Sequence, residues 1–147
     1  MAYRGYLTSR PLLHGRTPQH IQNIVIRNYC LKNDLDYLLS VAEVAMEDGY
    51  FMLEQLLNEL SNYSGIVFFS IFQLPSNVWS RKRIFEAMIG QNLSMHFAAE
   101  ELYCATLSDV ARVEDIYLVA HVIEQALSSR KLKAVVQDAE MSVTGKA

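Results

Sequence analysis

An α/β fold, built on a small and mostly parallel sheet of about four strands with helices on both faces, is predicted by three features of the 147-residue sequence. Short apolar runs of strand length alternate with stretches whose apolar residues recur at helical spacing. The run "GIVFFSIFQLP" at 65–75 is continuous and rich in β-branched and aromatic residues, the pattern of a strand buried on both faces. The connections are short, which favours parallel strands joined by right-handed crossovers.

In chain order, Tyr3 to Leu7 reads as strand one, and Thr17 is placed to cap a helix whose first turn holds Pro18. Ile21, Ile24, Val25 and Tyr29 then set the apolar stripe of helix A, which runs to about Lys32. "DYLLSVAEVA" at 36–45 reads as strand two, broken by "MEDGY", and Leu53, Leu56, Leu57 and Leu60 stripe helix B. Strand three is the run at 65–75, ended by Pro75. Ser76 or Ser80 caps helix C, striped by Ile84, Phe85, Met88 and Ile89 before Gly90, and "SMHFAAEEL" at 94–102 reads as strand four. Ser108 and Asp109 open helix D, whose stripe is Val113, Ile116, Tyr117, Ala120, Ile123 and Leu127. The order is therefore βαβαβαβα in one domain, residues 1–129. Residues 130–147 lose apolar periodicity and read as a partly frayed tail.

Half of the residues are apolar and a fifth are charged, a globular composition with material for a real core. A net charge of -3 offers no basic field for phosphate backbones, so nucleic acid is not an expected partner. The apolar run at 65–72 is too short for a bilayer-crossing helix and "MAYRGYLTSR" has no signal-peptide segment, which predicts a cytoplasmic protein without membrane insertion. Cys30 and Cys104 lack metal-ligand spacing and read as reduced thiols; neither a metal nor a cofactor is called for.

Ligands of such sheets bind beyond the carboxyl ends of the strands. That rim collects Thr8, Ser9 and Arg10 after strand one, Glu43 at strand two, Ser70 and Gln73 at strand three, and Glu100 and Glu101 at strand four. The loop "GYLTSRPLLHGRTPQH" adds Arg16, and Gln19 and His20 follow in the first turn of helix A, whose free N–H groups favour an anion. Arg10 and Arg16 can hold a phosphate or carboxylate; equally, they can be solvated or paired with Glu43, Glu100 or Glu101. Glycine-rich phosphate fingerprints are missing from "HGRTPQH".

Thr8, Ser9, Arg10, Arg16, Gln19, Ser70 and Gln73 are thus the candidate ligand-binding residues, and His20, Glu43 and Glu100 the candidate proton-transfer groups. His20 also fits a helix-surface residue, and Glu100 also fits a salt bridge to Arg10. Glu101 cannot pair with Glu100 as acid and base, because successive strand residues point apart. His96 fits a hydrogen-bonded core position, His14 a loop and His121 the surface of helix D. Cys104 has no assignable base for a nucleophilic role.

"YRGYLTSRP", "PQHIQNIVIRNYC", "LLSVAEVAM", "IFQLP" and "MHFAAE" together resemble the small bacterial family of sporadic carbohydrate cluster proteins over about residues 3–101. The resemblance implies a gene among carbohydrate-biosynthesis genes and a role in making or modifying a surface sugar, and it transfers no catalytic residue. In element order the chain is also similar to the catalytic domain of resolvase-type serine recombinases. That resemblance implies a nucleophile after strand one, where Thr8 or Ser9 stands, and arginines after strand three, where "FQLPSN" has Gln73 and Ser76. Without those guanidiniums, or a helix-turn-helix pattern after helix D, DNA cleavage is not expected.

Two functions fit these features. One is an enzyme or binding protein that holds a polar, anionic sugar or sugar phosphate at the rim. The other is a non-catalytic, dimeric accessory protein that docks on a carbohydrate-biosynthesis enzyme through helix D or the surface around Trp79. Val119 and Val122 widen the apolar arc of helix D; this suits a homodimer or packing beneath the tail.

Overall fold

The computed structural model describes residues 2–43 and 49–144. Its sheet has five strands in the order β2-β1-β3-β4-β5: β1 (Tyr3–Thr8), β2 (Val41–Glu43), β3 (Gly65–Phe68), β4 (Ser94–Phe97) and β5 (Leu102–Cys104). The first four are parallel to one another and β5 runs antiparallel to β4, with His96 opposite Tyr103. The helices are α1 (Gln19–Lys32), α2 (Phe51–Asn58), α3 (Val78–Gly90) and α4 (Leu107–Thr144).

The fifth strand was hidden in the predicted strand four. Glu101 turns the chain with φ 52, and the backbone then returns along the edge of β4. The predicted strand three is likewise two pieces: β3 ends at Phe68, and Ile71–Gln73 forms a 3-10 turn capped by Ser70. The described part of strand two is Val41–Glu43, and positions 44 and 45 of the predicted run lie outside the described residues.

Alternation sorts β1 and β3 onto two faces. Leu7 and Val67 pack with Ile26, Tyr29 and Cys30 of α1 and with Ala98. Tyr6 and Phe68 point the other way, where Phe97 stacks on Phe68 at 5.4 Å. β2 and β3 lie on opposite sides of β1, so right-handed crossovers send α1 to the first face and α2 and α3 to the second. β3 and β4 approach closely because Gly65 lacks a side chain: a Cβ there would stand 2.0 Å from the Ser94 carbonyl oxygen.

Several local expectations are corrected. α1 buries Gln22, Ile26, Tyr29 and Cys30, whereas Ile21 and Ile24 are exposed; the stripe is shifted round the helix because a glutamine occupies one of its buried positions. Thr17 does not cap α1, which starts at Gln19 after Pro18. Asn77, not a serine, caps α3, its Oδ1 accepting from the N–H groups of Trp79 and Ser80. At the start of α4, Thr106 Oγ1 accepts from Asp109 N–H, and the Asp109 carboxylate accepts from Ala105 and Thr106 N–H.

The chain divides into two compact units, Met1–Glu114 and Asp115–Ala147. The second unit is helical to Thr144, without a break at 129. Strong helix formers account for this: Lys131, Leu132, Lys133, Ala134, Gln137, Ala139, Glu140 and Met141 make up most of 131–141, which holds no glycine or proline. No helix among the described residues is long and apolar enough to cross a membrane.

His96 occupies a core position as its strand context suggested. Its Nδ1 meets Tyr29 OH at 2.9 Å and its Nε2 meets Ser94 Oγ at 3.0 Å, which in turn meets Tyr3 OH at 3.1 Å. Burial pushes the imidazole down to about 4 from 6.5. Below pH 6.5 the unfolded chain takes up a proton that folded His96 refuses, so its contribution is full above that pH and is lost as pH falls towards 4. Wild type is expected to lose about 2 kcal/mol more than His96→Phe between pH 7 and pH 5. Urea unfolding at the two pH values checks this; equal losses would refute it.

Candidate functional site

Strand order places the change of winding direction between β1 and β3, where open α/β sheets bind ligands. A cleft of about 220 Å³ lies at this end of the sheet. The loop after β1 supplies Leu12, His14, Gly15, Arg16 and Thr17; the end of β3 supplies Phe69, Ser70 and Phe72; the turn after β4 supplies Ala99 and Glu100.

The loop is shaped by a tight hairpin in which Leu12 and Gly15 exchange backbone hydrogen bonds at 2.9 and 3.1 Å. Gly15 has φ 116, a left-handed conformation that a Cβ would strain. The hairpin sets the His14 ring edge-on to Phe72, with centroids 5.7 Å apart. Arg16 is exposed at the mouth.

Glu100 is half-buried in the cleft. Its Oε1 accepts from Ser70 Oγ–H at 2.5 Å, and both carboxylate oxygens lie 3.3 Å from Ile71 N–H. Burial raises the Glu100 pKa, while Ser70, Ile71 and the nearby His14 pull in the opposite direction. The carboxyl is therefore held in place and carries a raised proton affinity, as an acid–base group needs.

Beneath the cleft lies a layer of interlocked amides. Gln22 accepts from Thr8 N–H at 3.1 Å and donates to Thr8 O and Thr17 O, each at 2.7 Å. Gln73 accepts from Phe69 N–H at 2.8 Å and Ser70 N–H at 3.3 Å, and donates to Thr8 Oγ1 and Gln22 Oε1. Thr8, Gln22 and Gln73 are fully buried, so Thr8 and Gln73, expected at the ligand, instead fix the ends of β1 and β3 to α1.

Other predicted site residues are drawn into the scaffold. Glu43 is buried and accepts from Tyr6 OH at 2.9 Å, Met52 N–H at 3.0 Å and Leu53 N–H at 3.1 Å, satisfying the first turn of α2. Arg10 donates to Gly49 O at 2.9 Å and Tyr6 OH at 3.0 Å and lies over the Tyr50 ring; it bridges neither to Glu100 nor into the cleft. Ser9 Oγ is 3.4 Å from Glu43 O. Gln19 and His20 stand outside the cleft lining.

Glu101 diverges from Glu100 as expected and pairs with Lys32 at 2.7 Å on the surface. Cys30 and Cys104 are buried, and burial pushes both thiols up to about 11, which keeps them protonated and unreactive. Sequence reasoning passed over His14, Phe72 and Gln22. The detectable signal was Gln22, a polar residue four positions before Ile26 on a helix that must bury one face.

A five-stranded sheet of this order, with an antiparallel last strand and a long final helix, defines a resolvase-like α/β fold. The chain is similar to a resolvase family site-specific recombinase from Streptococcus pneumoniae, with a TM-score of 0.58 at 10% identity, over 95% of this chain and 99% of that one. No protein-family model matches the sequence. No curated protein matches it either.

Proposed function

We propose that the cleft binds a single sugar unit bearing an anionic group, in the making or modification of a bacterial surface carbohydrate. The observation that carries this reading is the convergence of Glu100, Ser70, His14 and Arg16 beside the Phe72 ring at the β1/β3 crossing. Arg16 supplies the charge for a phosphate or carboxylate, Glu100 accepts from sugar hydroxyls, and Phe72 packs against the apolar face of the ring. The volume, about 220 Å³, corresponds to roughly seven water molecules, enough for one monosaccharide. The resemblance to sporadic carbohydrate cluster proteins supports the choice of a sugar.

Recombinase activity is not carried over from the Streptococcus pneumoniae protein. The hydroxyl of Thr8 is buried against Gln73, Ser9 faces the Glu43 backbone, and Gln73 is locked in the amide layer.

D-Glucose 6-phosphate and D-glucuronate are the probes for a thermal-shift test. A ligand at a hundredfold excess over Kd stabilises by about 2.7 kcal/mol, roughly 5–10 °C in melting temperature. Arg16→Ala is expected to leave the ligand-free melting temperature unchanged and to weaken binding about tenfold or more. A shift that survives Arg16→Ala, or no shift with either probe, would count against the reading.

A second reading, a homodimer through α4, rests on the exposed Leu132, Val136 and Val143, which with Ala139 are spaced four, three and four residues apart as in a helix-pairing seam. Light scattering is expected to give twice the chain mass, reduced to the chain mass by Val136→Lys. A monomeric wild type would refute it.

A further inference from the structure

Resting on the sugar-binding reading, we infer that Glu100 and His14 interconvert an open-chain aldose carrying a terminal anionic group with the corresponding ketose. The two side chains line one cleft from different elements, Glu100 from the β4–β5 turn and His14 from the β1 hairpin, and they interact electrostatically. The Ser70 hydroxyl and Ile71 N–H fix the carboxyl, and the imidazole stands edge-on to the Phe72 ring. A sugar seated between them with its anion on Arg16 presents its carbonyl end to both groups.

The step is balanced without a co-reactant. Glu100 removes the proton from C2, and the electron pair of that C–H bond forms the C1–C2 double bond while the carbonyl oxygen O1 takes a proton from His14. The enediol then collapses: the O2–H proton goes to His14, a carbonyl forms at C2, and Glu100 returns its proton to C1. The C2–H and O2–H bonds are broken, the C1–H and O1–H bonds are formed, and both side chains end as they began. A carboxylate base paired with an imidazole that polarises a carbonyl is an efficient arrangement for proton transfer beside a carbonyl group. The raised proton affinity of Glu100 brings it nearer the neutral range in which such a base works best.

The test incubates the full chain with D-glucose 6-phosphate, and separately with D-glucuronate, in deuterated water. NMR follows ketose formation and deuterium incorporation at the transferred position, and binding is measured in parallel by thermal shift. Ketose formation is expected with at least one probe. Glu100→Gln should slow it by roughly a hundredfold or more while still binding the sugar, and His14→Asn should slow it as well. Binding without ketose formation would overturn this inference and leave the binding reading standing. Neither binding nor turnover would overturn both, and turnover undiminished in Glu100→Gln would remove Glu100 from the reaction.

Discussion

Glu114→Ala is expected to destabilise the protein by about 3–5 kcal/mol, because it removes the carboxylate that a buried guanidinium grips with two of its nitrogens. Arg81 is 2% exposed and makes a two-pronged contact with Glu114, from Nε at 2.8 Å and from a terminal nitrogen at 2.9 Å. The same guanidinium donates to Pro75 O at 3.1 Å and Ser76 O at 2.8 Å, tying the segment after the Ile71–Gln73 turn to the start of α4. Those carbonyls satisfy donors but do not neutralise the charge. The double variant Arg81→Met with Glu114→Leu should recover part of the loss, since apolar groups of similar volume often replace a buried ion pair at little cost, while the Pro75 carbonyl loses its donor. Urea unfolding of the three proteins checks this. A loss below about 1 kcal/mol in Glu114→Ala would show that water reaches Arg81 and that the pair behaves as a surface bridge.

Gln73→Leu is expected to lose about 3–4 kcal/mol and to abolish binding of the proposed sugar ligand in the protein that remains folded. The amide stands 0% exposed and serves four partners: Phe69 N–H, Ser70 N–H, Thr8 Oγ1 and Gln22 Oε1. Leucine nearly conserves the volume but orphans buried polar groups, each at a cost of about 1–3 kcal/mol. The damage reaches the cleft because Gln73 holds the backbone of Ser70, whose hydroxyl holds Glu100. Gln22→Leu should behave similarly, since it strips the Thr8 backbone of both of its hydrogen bonds to the Gln22 side chain. Unfolding measurements paired with a binding titration test the point. Normal binding in a folded Gln73→Leu protein would show that the amide layer does not position the site.

The fold was legible wherever apolar residues alone decide an element. β1, β3, α3 and the mostly parallel sheet follow from runs such as Tyr3–Leu7 and Gly65–Phe68, whose burial matches their composition. β5 was not legible, because an antiparallel return depends on the single left-handed residue Glu101, and glutamate is not a residue that advertises such a turn. The length of α4 was missed for the opposite reason: propensity carries residues 130–144 where amphipathic periodicity is weak.

The rim was legible as a place but not as a set of roles. Strand ends collect polar side chains whether they meet a ligand or tie the chain to itself, and only geometry separates the two. Glu43 and Arg10 look like acid–base and anion-binding groups in sequence, yet one satisfies the N-terminus of α2 and the other lies over Tyr50. Glu100 and Ser70 remain at the cleft, and His14 joins them because a four-residue hairpin folds it back over Phe72. A turn of that kind leaves no apolar periodicity to detect.

The cleft at the β1/β3 crossing is the proposed ligand site. Titrating the isotope-labelled protein with D-glucose 6-phosphate and following backbone amide shifts by NMR checks whether ligand binds there. Saturable shifts centred on Gly15, Thr17, Ser70 and Ala99 are the expected result. No saturable shift, or shifts centred on Tyr29, Asn33 and Tyr103 in the groove beside α1, would contradict it.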